Sequence, residues 1–179
     1  LNLSPTYKAI STFTSPSSIS ITNINNLKLI SRTKDAIFSE FLTNLSSKDL
    51  QSQVFIEGDF LTLFNLDKSQ IDNLDDMVIK VTNSIKVESP DLNAKQKALG
   101  FLNELPYSVS MEGSNPKAIS NYLNKLVSEA NIKTTREFIN LNNLKIANRL
   151  KAINSQRELI LNQAEKLRFS EIERIKEKD

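Results

Sequence analysis

Two groups of carboxylates are the residues of this 179-residue chain whose types and spacing could do chemistry: Glu57 with Asp59, and Asp72 with Asp75 and Asp76. Asp72 and Asp76 stand four apart, on one face of a helix, and carboxylates so placed can hold a hard cation. The same pattern suits a solvated helix N-terminus, where the macrodipole favours negative charge. No third acid or basic activator falls at a diagnostic spacing from the Asp72–Asp76 pair. The chain has no histidine and no cysteine, so the commonest general base, the commonest metal ligand and every thiolate are missing. Gly58, Gly100 and Gly113 stand alone, which leaves no glycine loop to cradle a phosphate. Asn44-Leu45-Ser46 matches a glycosylation sequon, a pattern too common to carry weight alone. The residues point away from an enzyme and call for no cofactor and no metal.

Charge and hydropathy narrow the partners. The net charge is only +2, too little to imply nucleic acid. The balance is uneven: residues 117–179 carry 13 Lys/Arg against 8 Asp/Glu, a net of +5, and residues 1–116 carry 10 against 13, a net of −3. No apolar run reaches the ~20 residues that span a bilayer, and no signal peptide is present. The chain begins at Leu1 rather than methionine, so a fragment or processed chain is expected, with any membrane anchors lying outside it. Lack of cysteine fits an oxidising compartment.

The elements that would position any site divide the chain in two. Residues 6–14 are aromatic and β-branched between Pro5 and Pro16, and read as a strand. Leu27, Ile30, Lys34, Ile37, Phe38, Phe41, Leu42 and Leu45 follow a helical stripe. Ser46-Ser47-Lys48-Asp49 then caps a second helix carrying Leu50, Val54 and Phe55, which ends at Gly58. Residues 60–64 fit helix or strand. Ser69 to Asp72 opens a helix with Ile71, Leu74, Met77, Val78 and Val81. Residues 85–87 read as a second strand, 89–104 as a connection with a partial helix, and 107–111 as a half-buried strand turned by Glu112-Gly113-Ser114.

Asn115-Pro116 then starts a helix well, with a side-chain cap followed by a residue that has no N–H to leave unpaired. From Lys117 to Asp179 there is neither proline nor glycine. One unbroken helix there would be ~95 Å long, against a diameter of ~30–40 Å for a globular domain of this size. Ile119, Tyr122, Leu123, Leu126, Val127 and Ala130 form the inner face of its first turns. Farther along, Ile146, Leu150, Ile153, Ile160, Ala164 and Leu167 recur in steps of three and four, interrupted by Arg157, and make a candidate seam for a partner helix or an oligomer. The expected fold is α+β. Residues 1–116 form a small sheet packed with helices as a base, and residues 117–179 form a very long helical arm that continues past the last residue.

The order of these pieces resembles a known family. Pro5-Thr6-Tyr7-Lys8-Ala9 with Pro16, the passage from Phe38 to Leu50 with its serine-marked break, and Tyr107-Ser-Val-Ser-Met-Glu-Gly-Ser-Asn-Pro running into the helix through Leu126 are similar to the periplasmic domain of bacterial polysaccharide co-polymerases. These are the chain-length determinant (Wzz) family. The resemblance implies a non-catalytic regulator of glycan chain length, oligomeric in the inner membrane of a Gram-negative bacterium. This part would be periplasmic, its base membrane-proximal, between two transmembrane helices outside these residues. Its implied partners are further copies of itself, a separate polysaccharide polymerase, the inner membrane and the growing O-antigen or related glycan. The family's proline-rich signature near its second membrane helix is not among these residues, so no functional residue is carried over. The competing reading is a soluble or periplasmic coiled-coil scaffold or adaptor. It explains the long helix equally well and the strand segments less well.

Overall fold

Backbone satisfaction explains most of the element boundaries in the computed structural model, which describes residues 5–17, 32–60, 64, 74–90 and 105–177. In chain order these residues form β1 (Tyr7–Phe13), α1 (Lys34–Ser46), α2 (Lys48–Glu57), α3 (Leu74–Asn83), β2 (Lys86–Glu88), β3 (Tyr107–Gly113) and α4 (Pro116–Lys176). The fold is α+β, a three-stranded antiparallel sheet with shorter helices and one very long C-terminal helix.

Capping residues set the helix starts. The Thr33 hydroxyl accepts from the Ala36 N–H at 3.2 Å, so α1 begins at Lys34. The leading stripe residues Leu27 and Ile30 lie outside the described residues. Ser47 divides α1 from α2 as expected: its N–H donates to the Asn44 carbonyl while its hydroxyl accepts from the Leu50 N–H. One residue closes one helix and opens the next. Gly58 caps α2, because the ring of Phe60 occupies the space a side chain there would need. Asp59 follows at a φ of 51°, a left-handed position that aspartate tolerates. The Phe64 N–H donates to the Phe60 carbonyl; residues 61–63, which fit helix or strand by sequence, lie outside the described residues. The Ser69 cap, Ile71 and the partial helix expected within 89–104 fall outside the described residues.

The sheet order is β1-β3-β2, with Ala9 opposite Met111, Phe13 opposite Tyr107 and Val87 opposite Val109. Two boundaries differ from the sequence reading. The second strand starts at Lys86 rather than Ile85, because the Ile85 N–H is still spent on the Thr82 carbonyl at the end of α3. The third strand continues through Glu112 and Gly113, which pair with Lys8 and Tyr7, and the chain turns at Ser114-Asn115 instead. Val109 and Met111 face the core. Ser110 points the other way and is still buried, a small side chain between the longer Ile10 and Lys86 on the neighbouring strands.

The first turns of α4 are the spine of that core. The Asn115 side chain accepts from the Ala118 N–H at 3.1 Å, and Pro116 takes the first position. Ile119, Tyr122, Leu123, Leu126 and Ala130 are all buried against Leu45, Val54, Phe55 and Met111; Val127 is half-buried at the edge. Tyr122 packs edge-on against Phe55 and Phe60, with ring centroids 5.6 and 5.1 Å apart. Its hydroxyl donates to the Gln51 carbonyl at 2.9 Å. A buried polar link extends the contact one turn farther. Asn44 donates to the Thr134 hydroxyl and to the Glu137 carboxylate, each at 3.0 Å, and Thr134 donates on to the Ala130 carbonyl.

Burial pushes the Tyr122 phenol far above its ordinary range. The folded chain therefore holds a proton that the unfolded chain releases near pH ~10. This contribution to stability is complete below about pH 10 and is lost as the pH rises beyond it. Tyr122→Phe is expected to cost about 1 kcal/mol at pH 7 through the lost hydrogen bond. It is also expected to flatten the alkaline fall relative to wild type, as read by urea denaturation at pH 7 and above pH 10.

Candidate functional site

The acidic groups form no site among the described residues. Glu57 is exposed and accepts from Gln53 four residues back at 2.9 Å. Asp59 and Asp76 are exposed. Asp72 and the side chain of Asp75 lie outside the described residues. No group of three or more Asp, Glu, His or Cys residues lies together among those described. The sequon asparagine is not available either. Asn44 sits inside α1, buried, with its amide committed to Thr134 and Glu137.

Two clefts flank the foot of α4. One, of about 390 Å³, lies where the end of β1 and α1 meet α4, lined by Phe13, Ile37, Phe41, Val127 and Phe138 with Asn131 and Thr135 at its edge. Among the described residues no titratable side chain lines it, so they offer apolar surface and no group to move a proton. A smaller one, of about 230 Å³, lies between α2 and α4, and its Lys125 and Glu129 pair at 2.8 Å. Neither cleft has a local sequence signal, since each joins residues far apart in the chain.

The candidate seam lies elsewhere. α4 has 61 residues and is about 92 Å long. Its contact with the base ends near Phe138, and from Ala147 to Glu177 every side chain is exposed. Ile146 is half-exposed; Leu150, Ile153, Ile160 and Leu167 are between 50% and 69% exposed, and Ala164 is exposed as well. All six seam residues are on one helix; five are exposed and Ile146 is half-buried.

A longer pattern runs through them. Ile132 and Ile139, 42% and 50% exposed, continue the line downward, where Ile132 and Arg136 line the cleft against α2. Ile132, Ile139, Ile146, Ile153, Ile160 and Leu167 repeat at an interval of seven without exception. The signal was in the sequence, but in this stretch the core-facing stripe runs on the same helix and masks it. At ~100° per residue the line lies roughly opposite Leu126 and Ala130, which face the core. The helix thus carries one apolar face for the base and a second for something else. A straight helix drifts ~20° per heptad against such a repeat, so a partner following it winds left-handed around α4.

No described helix is long and apolar enough to cross a membrane. The exposed position of the seam has a direct consequence for stability. Ile153→Asp with Ile160→Asp is expected to shift the folding free energy of the isolated chain by no more than about 0.5 kcal/mol. Leu126→Ala, on the opposite face, is expected to cost about 2–5 kcal/mol. Denaturant midpoints of the two variants separate the faces. Comparison with known proteins finds no matching family model, no matching curated protein and no matching solved structure.

Proposed function

We propose that this chain is the periplasmic part of a non-catalytic regulator of polysaccharide chain length. In this reading it acts in an oligomeric inner-membrane co-polymerase beside a separate polymerase, on lipopolysaccharide O-antigen or a related glycan. The observation that carries the reading is an α+β base from which one helix projects, with an apolar line of six residues at heptad spacing that is exposed from Ile153 to Leu167. A rod of this length reaches tens of ångströms from the base and offers a contact surface rather than a pocket. The order of strand, serine-divided helix pair, and strand leading through Asn-Pro into the long helix supports the family resemblance. The base then sits nearest the membrane.

The strict heptad also favours a second reading, a coiled-coil scaffold or adaptor with no role in glycan length. The two part on one experiment. Deleting the gene in its native host is expected to broaden the length distribution of surface polysaccharide on a gel. Ile153→Asp with Ile160→Asp, in the intact gene, is expected to do the same at unchanged protein level. An unchanged ladder in both strains contradicts the chain-length reading and leaves the scaffold.

A further inference from the structure

We propose that the isoleucine line of α4 docks an amphipathic α-helix whose apolar heptads are edged by Glu or Asp, supplied from outside these 179 residues. This rests on the reading of α4 as an assembly element and names the chemistry of what it assembles with. The seven-residue interval is the first argument. Ile132 to Leu167 spans 35 residues, about 52 Å, and only another helix presents side chains at a matching interval over that length.

Charge is the second argument. The positions three and four beyond each repeat residue border the line. They hold Arg136, Arg149 and Arg157, and one acid, Glu171; Arg174 takes the next heptad position itself. Three other acids stand away from the line. Glu137, Glu158 and Glu165 each sit two residues before a repeat residue, ~160° away from the line. One residue before a repeat residue, on the line's other flank, stand Lys145 and Lys166, with Glu173 farther on, so the border is basic on balance; the planar fork of the arginines pairs with carboxylate in two parallel bonds. Arg149 and Arg157 make no ion pair with the described residues.

The same charges exclude other occupants. The shorter helices α1, α2 and α3, of 13, 10 and 10 residues, are packed in the base and too short to follow the line. A second copy in parallel register sets Arg149 against Arg149 inside the interface. An antiparallel copy centred on the line again brings the two Arg149 side chains together. Like charges at a closed helix interface oppose pairing, and opposite charges select the partner.

The test uses the whole 179-residue chain and two fluorescent 35-residue helical peptides with the same isoleucine and leucine heptads. One is edged with Glu and the other with Lys. The Glu-edged peptide is expected to bind at least about tenfold tighter by anisotropy, weakening as salt rises. Arg149→Glu with Arg157→Glu is expected to reverse the preference. Equal binding of both peptides, binding of neither, or a preference unaltered by the charge reversal overturns the proposal. So does self-association in sedimentation that Ile153→Asp abolishes, which would assign the line to a second copy. Binding to anionic vesicles lost in the same variant would likewise overturn it, assigning the line to a membrane. None of these readouts involves glycan, so an unchanged polysaccharide ladder rejects the chain-length reading without touching this one.

Discussion

One helix has to serve two masters here, and that constraint organises the molecule. For its first six turns α4 is the innermost element of the base, and after Phe138 it is a rod with no neighbour among the described residues. A helix in both situations needs a core face with a 3.6-residue period and, beyond it, a face whose period suits a partner helix. The two faces lie on roughly opposite sides, so occupation of the second need not disturb the first. The base also solves the rod's own problem. Helix nucleation is costly and propagation is not, and the packed turns around Tyr122 and Leu126 provide a permanent nucleus from which the remaining turns extend.

The base is built accordingly. Its sheet has only three strands, and its central strand β3 runs directly through Ser114-Asn115 into α4. Antiparallel pairing on both sides of β3 fixes the direction in which the helix leaves. The Asn44–Thr134–Glu137 link and the aromatic contacts of Tyr122 fix its packing from the side. A rod anchored by strand continuation and side packing transmits orientation from base to tip, as an element meant to meet another structure must.

Much of this was legible in the sequence because its signals are local. Ser47 and Asn115-Pro116 announce helix starts through capping chemistry, and both act as caps. The absence of glycine and proline after Lys117 allows an unbroken helix, and α4 is one. What was hidden depends on distant partners. Nothing near Ser110 says that two longer neighbours bury it, and nothing near Asn44 says that its amide meets Thr134 across 90 residues. Glu112-Gly113 reads as a turn by composition, yet β1 supplies ladder partners that keep it in strand. The seam residues Ile146 to Leu167 were found by spacing. At Ile132 and Ile139 the core stripe on the same helix has a similar period and masks the line.

The central claim is that α4 stays one straight helix well past the base, with none of the described residues folded onto its far half. A chain without cysteine takes spin labels only where they are placed. Asn121→Cys in the packed part and Ser155→Cys in the free part put two labels on exposed positions 34 residues apart. Electron–electron dipolar spectroscopy should give one narrow distance peak near ~51 Å, the rise of 34 helical residues. A broad distribution or a peak well below that distance would mean a broken or folded-back helix, and would contradict the account.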